Sequence, residues 1–398
     1  MKILVLAPIP FYQERGTPIA VDLLLRSLSQ AGHEVDAIVY GEGEDRQYPG
    51  VTIHRIRSFF CKGGIRPGFS LKKIYCDIYL AIKFIRLFFS RRYDVVHAVE
   101  ESVFIAMTFC PLFRIPYIYD MDSSMVTQIL DKFKWMKPLE KPLRFIESLP
   151  VRGSKIVVPC CDALGYDIQK YRKGEGKPVI VLKDISLLDK NRITPTSGIN
   201  VKQFVTEQLN PPDPEQTKIV MYIGNLESYQ GVDLMLEGFA RSLEQEQMEH
   251  LVLVIVGGEE VHIDLYRKQA EKMGIAHAVC FMGRQPVADL YALMMQADAL
   301  ISPRIQGVNT PMKVYSYLDS GVPVVATRLP THTQVMNDSV SCLVEPDAVN
   351  LAQGIRMVLT EEHQARQWAD NAVKLIESEH SYAAFDRAVN KICRELQA

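Results

Sequence analysis

Short apolar runs rich in Val and Ile recur along this chain, each followed by a polar loop and a helical pattern, and the series begins twice. The first series opens with a strand from Ile3 to Ala7, the loop PIPFYQERGTP, a helix from Ile19 to Gln30, and a second strand from Glu34 to Tyr40. The second opens with a strand from Lys218 to Ile223, the loop GNLESYQG, a helix from Val232, and the strand Leu251 to Val256. Parallel strands need a crossover of a dozen or more residues, so this alternation predicts βαβ units and a parallel sheet in each series. Between them, from about Asp189 to Gln216, the stretches NRITPTSG and NPPDPEQ flank a short helix. That change of texture reads as a linker. At 398 residues the chain is too long for one core. The expected plan is an α/β domain over 1–188, a linker over 189–216 and a second α/β domain over 217–378. A last helix, 379–398, is expected to pack back on the first domain.

Composition narrows the class. An apolar fraction of 47%, a charged fraction of 23% and a net charge of -2 describe a globular protein and argue against a nucleic-acid binder. The eight cysteines include no CxxC pair and no metal-ligand spacing, which fits a reduced cytoplasmic compartment and no metal. The start, MKILVLAPIPF, begins like a signal peptide but reaches prolines at once, and reads as a buried first strand. No apolar run approaches the ~20 residues needed to span a bilayer.

The stretch Ser302 to Thr327, SPRIQGVNTPMKVYSYLDSGVPVVAT, lies between the strand-like runs Ala297 to Ile301 and Val322 to Ala326. A loop that leaves a strand's carboxyl end and feeds a helix offers backbone N–H groups to an anion. Arg304 and Lys313 add two cations, and Asn309 and Thr310 add hydrogen-bonding groups, a set suited to phosphate. The competing reading is an ordinary β-loop-α connection with surface charges. Gly16 is a lone glycine in the first loop of the chain, where a dinucleotide fingerprint would carry three, so a plain turn competes with a phosphate contact there too.

Two further regions carry signal. From Arg55 to Arg92 ten Lys and Arg residues face one acid, Asp77, with phenylalanines interleaved. Ser70 to Ser90 has helical spacing, with Ile74, Ile78, Ile82 and Ile85 along one face. Such a helix either lies on an anionic membrane or packs its isoleucines on the sheet with its lysines in water. Lys132 to Lys155, with Trp135, is a second basic stretch of this kind. The strand DVVHAV brings His97 to the sheet, and a strand over Pro116 to Tyr119 ends at Asp120 and Asp122. These three are expected near one sheet edge, as sugar-positioning groups or a base, or with Asp122 or Ser123 serving only as a helix cap. Lys155 to Val158 and Pro178 to Leu182 complete the strands of this half.

In order and spacing, the pieces AGHEV, DVVHA, YIGNLESYQGVDLML, LVIVGG, FMGR and SPR...NTPMKVYSYLDSGVPVVAT resemble a GT-B glycosyltransferase of the large retaining family four. The resemblance runs end to end and is strongest from Tyr222 to Val335. It implies two Rossmann-like doubly wound domains facing a central cleft, with a nucleotide-sugar donor on the C-terminal domain and the acceptor on the N-terminal one. It implies transfer to a saccharide or lipid-linked saccharide, retention of configuration, and no cofactor or metal, with UDP or GDP as the nucleotide. Donor contacts would come from Gly16, Gly224, Asn225, Gln230, Gly283, Arg284, Asn309, Thr310 and Ser316. Arg304, Lys313 and Asp122 would be catalytic, with His97 and Asp120 on the acceptor side. The basic aromatic segments would touch the inner face of an anionic membrane.

The chain departs from the family at its best-known positions. The usual diphosphate-holding Arg and Lys are Asn225 and Gln230, the two loop glutamates are Gln306 and Ser316, and an N-terminal His is Asp122. Two accounts compete. One is a rebuilt site that leans on Arg304 and Lys313, and the other is an inactive homologue that binds a partner. A sugar-nucleotide epimerase on the same fold is a third possibility, while no lysine suggests a pyridoxal-dependent phosphorylase.

Overall fold

A computed structural model describes residues 1–14, 16–57, 65, 70–172, 176–188, 190, 198–245, 248, 250–307 and 310–397. They form two compact units, one of Met1–Asp184 with Tyr382–Ala398, the other of Ile185–Ser381.

The first unit is built on a parallel sheet of β1 (Lys2–Leu6), β2 (Glu34–Val39), β3 (Val51–Arg55), β4 (Val95–Val99), β5 (Tyr117–Met121) and β6 (Ile156–Pro159), in the order β3-β2-β1-β4-β5-β6. Both faces of the inner strands are covered, which explains why β1 and β4 read as continuous apolar runs. The chain leaves β1 first toward β2 and later toward β4, so the loops after β1 and β4 diverge and open a switch point. Ser102 Oγ reaches across it and donates to the Leu6 carbonyl at 3.0 Å. Strand β3 is an element the sequence reading missed; it follows two glycine-bearing turns and is only half-buried, so its apolar signal is weak. Pro178 to Leu182, expected as a strand, makes a single bridge, Val157 to Val179, and lies beside β6 as an irregular edge.

Helix α1 (Gly16–Gln30) covers this sheet and meets the helix Tyr382–Gln397, where the Arg26 guanidinium stacks 3.9 Å from the Tyr382 ring centroid. Helix α2 (Leu71–Ser90) is capped by Ser70, which accepts from the Lys73 amide at 3.2 Å. It buries Cys76, Leu80, Phe84 and Phe88, a stripe at i, i+4 spacing that fits the sheet. Of the two readings of the isoleucine face, packing on the sheet holds only for Ile85, while Ile74, Ile78 and Ile82 face outward. Cys76 is disulfide-bonded, which departs from the reading of all cysteines as reduced thiols.

The second unit repeats the plan with β7 (Lys218–Ile223), β8 (Leu251–Val256), β9 (Val279–Gly283), β10 (Ala299–Ser302), β11 (Val324–Thr327) and β12 (Cys342–Val344), ordered β12-β11-β10-β7-β8-β9. Strand β7 is the central one, and all its partners are parallel. The helix Val201–Leu209, within the stretch read as linker, seats Val201 and Val205 in the core of this unit. Register between β10 and β7 stops at Leu300 opposite Met221, so Ile223 has no ladder partner on that side. The Tyr317 hydroxyl takes that role. It accepts from the Ile223 amide at 2.7 Å and donates to the Ile223 carbonyl at 3.0 Å.

Tyr317→Phe keeps the ring and deletes both bonds, and is expected to cost about 1–3 kcal/mol, the usual penalty for stranding buried backbone groups. A urea denaturation midpoint equal to that of the native chain would show that the phenol does not hold this strand end.

Candidate functional site

In the second unit the site forms where β7 and β10 part. The loop after β7 runs Gly224 to Gln230, and its last turn ends at Gly231, which has φ +76°. A Cβ there would fall 1.9 Å from the Pro303 carbonyl oxygen, so only glycine lets this loop touch the loop after β10. The Ile305 amide donates to the Tyr229 carbonyl at 3.2 Å across the same contact.

Lys313 sits in the first turn of the helix Met312–Asp319. Its Nζ lies 4.0 Å from the Tyr222 ring centroid, and a Cβ on Gly224 would come within 3.1 Å of it. The ammonium is sealed from solvent and has no hydrogen-bond partner among the described residues. Burial, and then the nearby Arg304, push its pKa well below the usual lysine value. Arg304 is half-buried, with its guanidinium 5.2 Å from the Tyr229 ring and its Nε donating to the Gln306 carbonyl at 2.6 Å. Gln230 Oε1, Thr310 Oγ1 and Thr331 Oγ1 are likewise buried without partners. A buried cation without a partner calls for an anion, and buried polar atoms left unsatisfied call for hydrogen-bonding groups.

The loop after β10 is fixed from behind by His332, which the sequence reading missed. Its ring is buried and held neutral, its pKa pushed down to about 4 by burial. It donates from Nδ1 to the Thr327 carbonyl at 2.7 Å and accepts at Nε2 from Ser302 Oγ at 2.8 Å. Thr327 Oγ1 in turn donates to the Arg304 carbonyl at 2.6 Å. The sequence signal was slight, a histidine two residues after a proline.

Of the other expected donor residues, Asn225 is drawn into its own loop, 3.4 Å from the Tyr229 hydroxyl, and Ser316 is buried on the Lys313 helix. Gly283 ends β9, where its carbonyl accepts from the Gly257 amide at 2.6 Å. Arg284 pairs with Glu259 at 3.0 Å and reaches the Gly258 carbonyl, on the β8 side of the sheet. Asn309 lies outside the described residues. Gly16 belongs to the first unit, as the exposed first residue of α1.

In the first unit the switch point gathers acids. His97 and Asp120 are both buried and meet at 2.8 Å between Nε2 and the carboxylate. Asp122, which Thr17 hydrogen-bonds, has its pKa pushed up to about 7 by burial and then by Asp120. Asp184 is pushed to about 7 by the same two causes. Glu100 sits at φ +51° and accepts from Ser123 Oγ at 2.9 Å; burial, with Asp122 beside it, raises its pKa well above the usual carboxylate range. The cap of the following helix is Ser124, which accepts from the Thr127 amide at 3.2 Å, so neither Asp122 nor Ser123 is spent on that role. A carboxyl that titrates near neutrality suits proton exchange with a hydroxyl. Among the described residues no three His, Cys, Asp or Glu side chains form a metal-holding group.

The family described as "Glycosyl transferases group 1" matches residues 206–375, and "Glycosyltransferase Family 4" matches residues 15–181. A D-inositol 3-phosphate glycosyltransferase of Corynebacterium aurimucosum is 28% identical over 169 residues, 42% of this chain. The chain spans only 36% of that relative's length. An uncharacterized glycosyltransferase of Methanocaldococcus jannaschii is 21% identical over 92% of this chain and 91% of its own. Among solved structures, sucrose-phosphate synthase from Thermosynechococcus elongatus superposes with a TM-score of 0.72 at 16% identity, covering 99% of this chain and 98% of that one. Anabaena Alr3699/HepE, solved in complex with UDP, gives 0.72 at 15% identity, with 99% and 100% covered.

The Asp122 carboxyl has an ordinary value of 3.8 and holds its proton to about 7 in the folded chain. The stability it contributes is therefore complete below the lower value and is lost as pH rises through the upper one. Asp122→Asn stays neutral throughout, so its melting temperature relative to the native chain should climb between about pH 4 and about pH 8. A constant difference across that window would contradict the raised value.

Proposed function

We propose, from the membership of this chain in the group 1, family-four glycosyltransferases of GT-B fold, that it moves a sugar from a nucleoside diphosphate donor to a saccharide or lipid-linked saccharide. The observation that carries this reading is the sealed, unpartnered Lys313 ammonium above Gly224. Charge builds on the departing diphosphate as the glycosidic bond breaks, and a cation fixed in a dry site stabilises it without reorganisation. In this reading Lys313 holds the diphosphate with Arg304 as second cation, Thr310 and Gln230 donate or accept at its oxygens, and the bare Gly224 lets it approach the backbone. The diphosphate thus meets Lys313 where the family's usual Arg and Lys have become Asn225 and Gln230. Asp122, with Asp120 and His97 behind it, takes the proton of the acceptor hydroxyl. UDP is the favoured nucleotide, on the likeness to a structure that holds it. Retention of configuration and independence of metal belong to the same reading.

UDP should raise the melting temperature of the purified chain in the presence of EDTA, and Lys313→Ala or Arg304→Ala should remove most of that shift. Because burial depresses the Lys313 amine and a diphosphate restores its proton, UDP binding at alkaline pH should take up protons, seen as a heat that varies with buffer ionisation. If no nucleotide among UDP, GDP and ADP binds, the enzyme reading fails. If UDP binds with no proton taken up, Lys313 does not face the diphosphate.

The acceptor proposal extends to an anionic membrane. Helix α2 exposes Leu71, Ile74, Ile78, Ile82 and Phe89, and Phe89 continues through an edge contact into Phe113. Trp135, at 73% exposure, and Phe145 lie bare on the second basic stretch. No described helix is long and apolar enough to cross a bilayer, so contact would be peripheral. The chain is expected to cosediment with phosphatidylcholine vesicles containing phosphatidylglycerol at low salt and to release at high salt. Ile74→Ser with Ile78→Ser should abolish cosedimentation, and failure of the native chain to bind at low salt would remove the membrane from the proposal while leaving sugar transfer intact.

A further inference from the structure

In the first unit an open groove of about 1570 Å³ runs between the edge strand β3 and helix α2. Its lining carries the cations Arg46, Arg55, Arg57, Lys83 and Arg86 against one carboxylate, Asp45. Two of the five are already committed. Arg55 donates to the Phe11, Glu42 and Glu44 carbonyls and pairs with Asp45 at 2.9 Å, so it builds the floor and carries no spare charge. Arg46 lies over the Tyr12 ring between Asp22 and Glu44. His54 is likewise spent on Asp36, at 2.6 Å.

Arg57, Lys83 and Arg86 are different: no carboxylate among the described residues pairs with them, although acids are plentiful elsewhere in this unit. They reach the groove from two separate elements, Arg57 from beyond the end of β3 and the other two from successive turns of α2. Tyr79 stands on the same helix wall, its hydroxyl already accepting from Tyr75 at 2.9 Å, and Tyr48 is tied to Asp22. Uncompensated like charges held together by a rigid floor repel one another, and an anion that bridges them relieves that cost. Arginine forks match phosphate oxygens in pairs, and lysine adds a point charge.

We propose that this groove is a binding site for a phosphate-bearing group, contacted by Arg57, Lys83 and Arg86. The group is a polyanion with closely spaced oxygens, carried either on a soluble phosphosaccharide or on a lipid head. Its residues are not those proposed to hold the nucleotide, and its occupancy does not depend on sugar transfer.

The probe is inorganic tripolyphosphate, titrated by calorimetry at low salt into the full chain carrying Lys313→Ala, so that the cation site of the second unit contributes nothing. The native chain saturated with UDP provides the same measurement should that variant be unstable. One equivalent should bind, and Arg57→Ser with Lys83→Ser and Arg86→Ser should weaken it at least about tenfold, as loss of charged hydrogen bonds requires. Removing the same number of charges at Lys134, Lys137 and Lys141 should leave the affinity unchanged. An unchanged affinity in the groove variant, or an equal loss in the control, overturns the proposal. Vesicles of phosphatidylcholine with phosphatidate separate the sources. If tripolyphosphate displaces the chain from them, the group is a lipid head; if vesicle binding ignores tripolyphosphate while the groove variant loses it, the group is soluble.

Discussion

Each sheet in this protein has to be parted without leaving its backbone bare. In a doubly wound sheet the central strand ends beside a neighbour that has already turned away, and its last polar groups face an opening. In the second unit one phenol, Tyr317, closes both groups of Ile223. The same helix that supplies Tyr317 carries Lys313 four residues earlier, one turn apart on one face. The residue that seals the sheet and the residue that charges the opening are thus placed by a single helix. Ser102 does the smaller job in the first unit, capping the Leu6 carbonyl.

The two openings have opposite electrostatic characters. In the second unit burial weakens the hold of an amine on its proton, and in the first it strengthens the hold of carboxyls on theirs. Both effects have one cause, the cost of a charge removed from water. In the proposed sugar transfer the first unit would supply an acidic group able to exchange a proton near neutrality, and the second a cation whose charge a bound anion would complete. The neutral His332 completes the pattern by fixing the cationic loop through hydrogen bonds that bring no further charge near Lys313.

Much of this was legible in the sequence, and the gaps have physical reasons. Apart from β3 and the short β12, the strands of both sheets and the loop between β10 and the Lys313 helix follow from apolar runs covered on two faces, which leave a strong signal. Strand β3 is half-covered and left none. Helix α2 carries apolar residues around most of its circumference, so spacing alone allowed an isoleucine stripe and a Cys76, Leu80, Phe84, Phe88 stripe; only the shape of the sheet beneath chose the second. Arg304 and Lys313 looked equivalent as two cations in one loop. In the fold one is tied to a carbonyl and half-exposed, while the other is sealed and unpaired, a distinction that belongs to burial and not to residue type. Asp122 could be read as a cap or a functional acid until Ser124 proved to hold the cap.

The helix Tyr382–Gln397 belongs to the first unit although the whole second unit precedes it in the chain. Phe385, Val389 and Ile392 are buried there, and the helix rests on α1 and β6. Synthesis proceeds at about 5–20 residues per second, so the strands of the first sheet are out of the ribosome roughly 10–40 seconds before the helix that covers this face exists. Until then the side of α1 destined for that helix stands open to water or to a chaperone, and the first unit, although begun first, is the second to be finished.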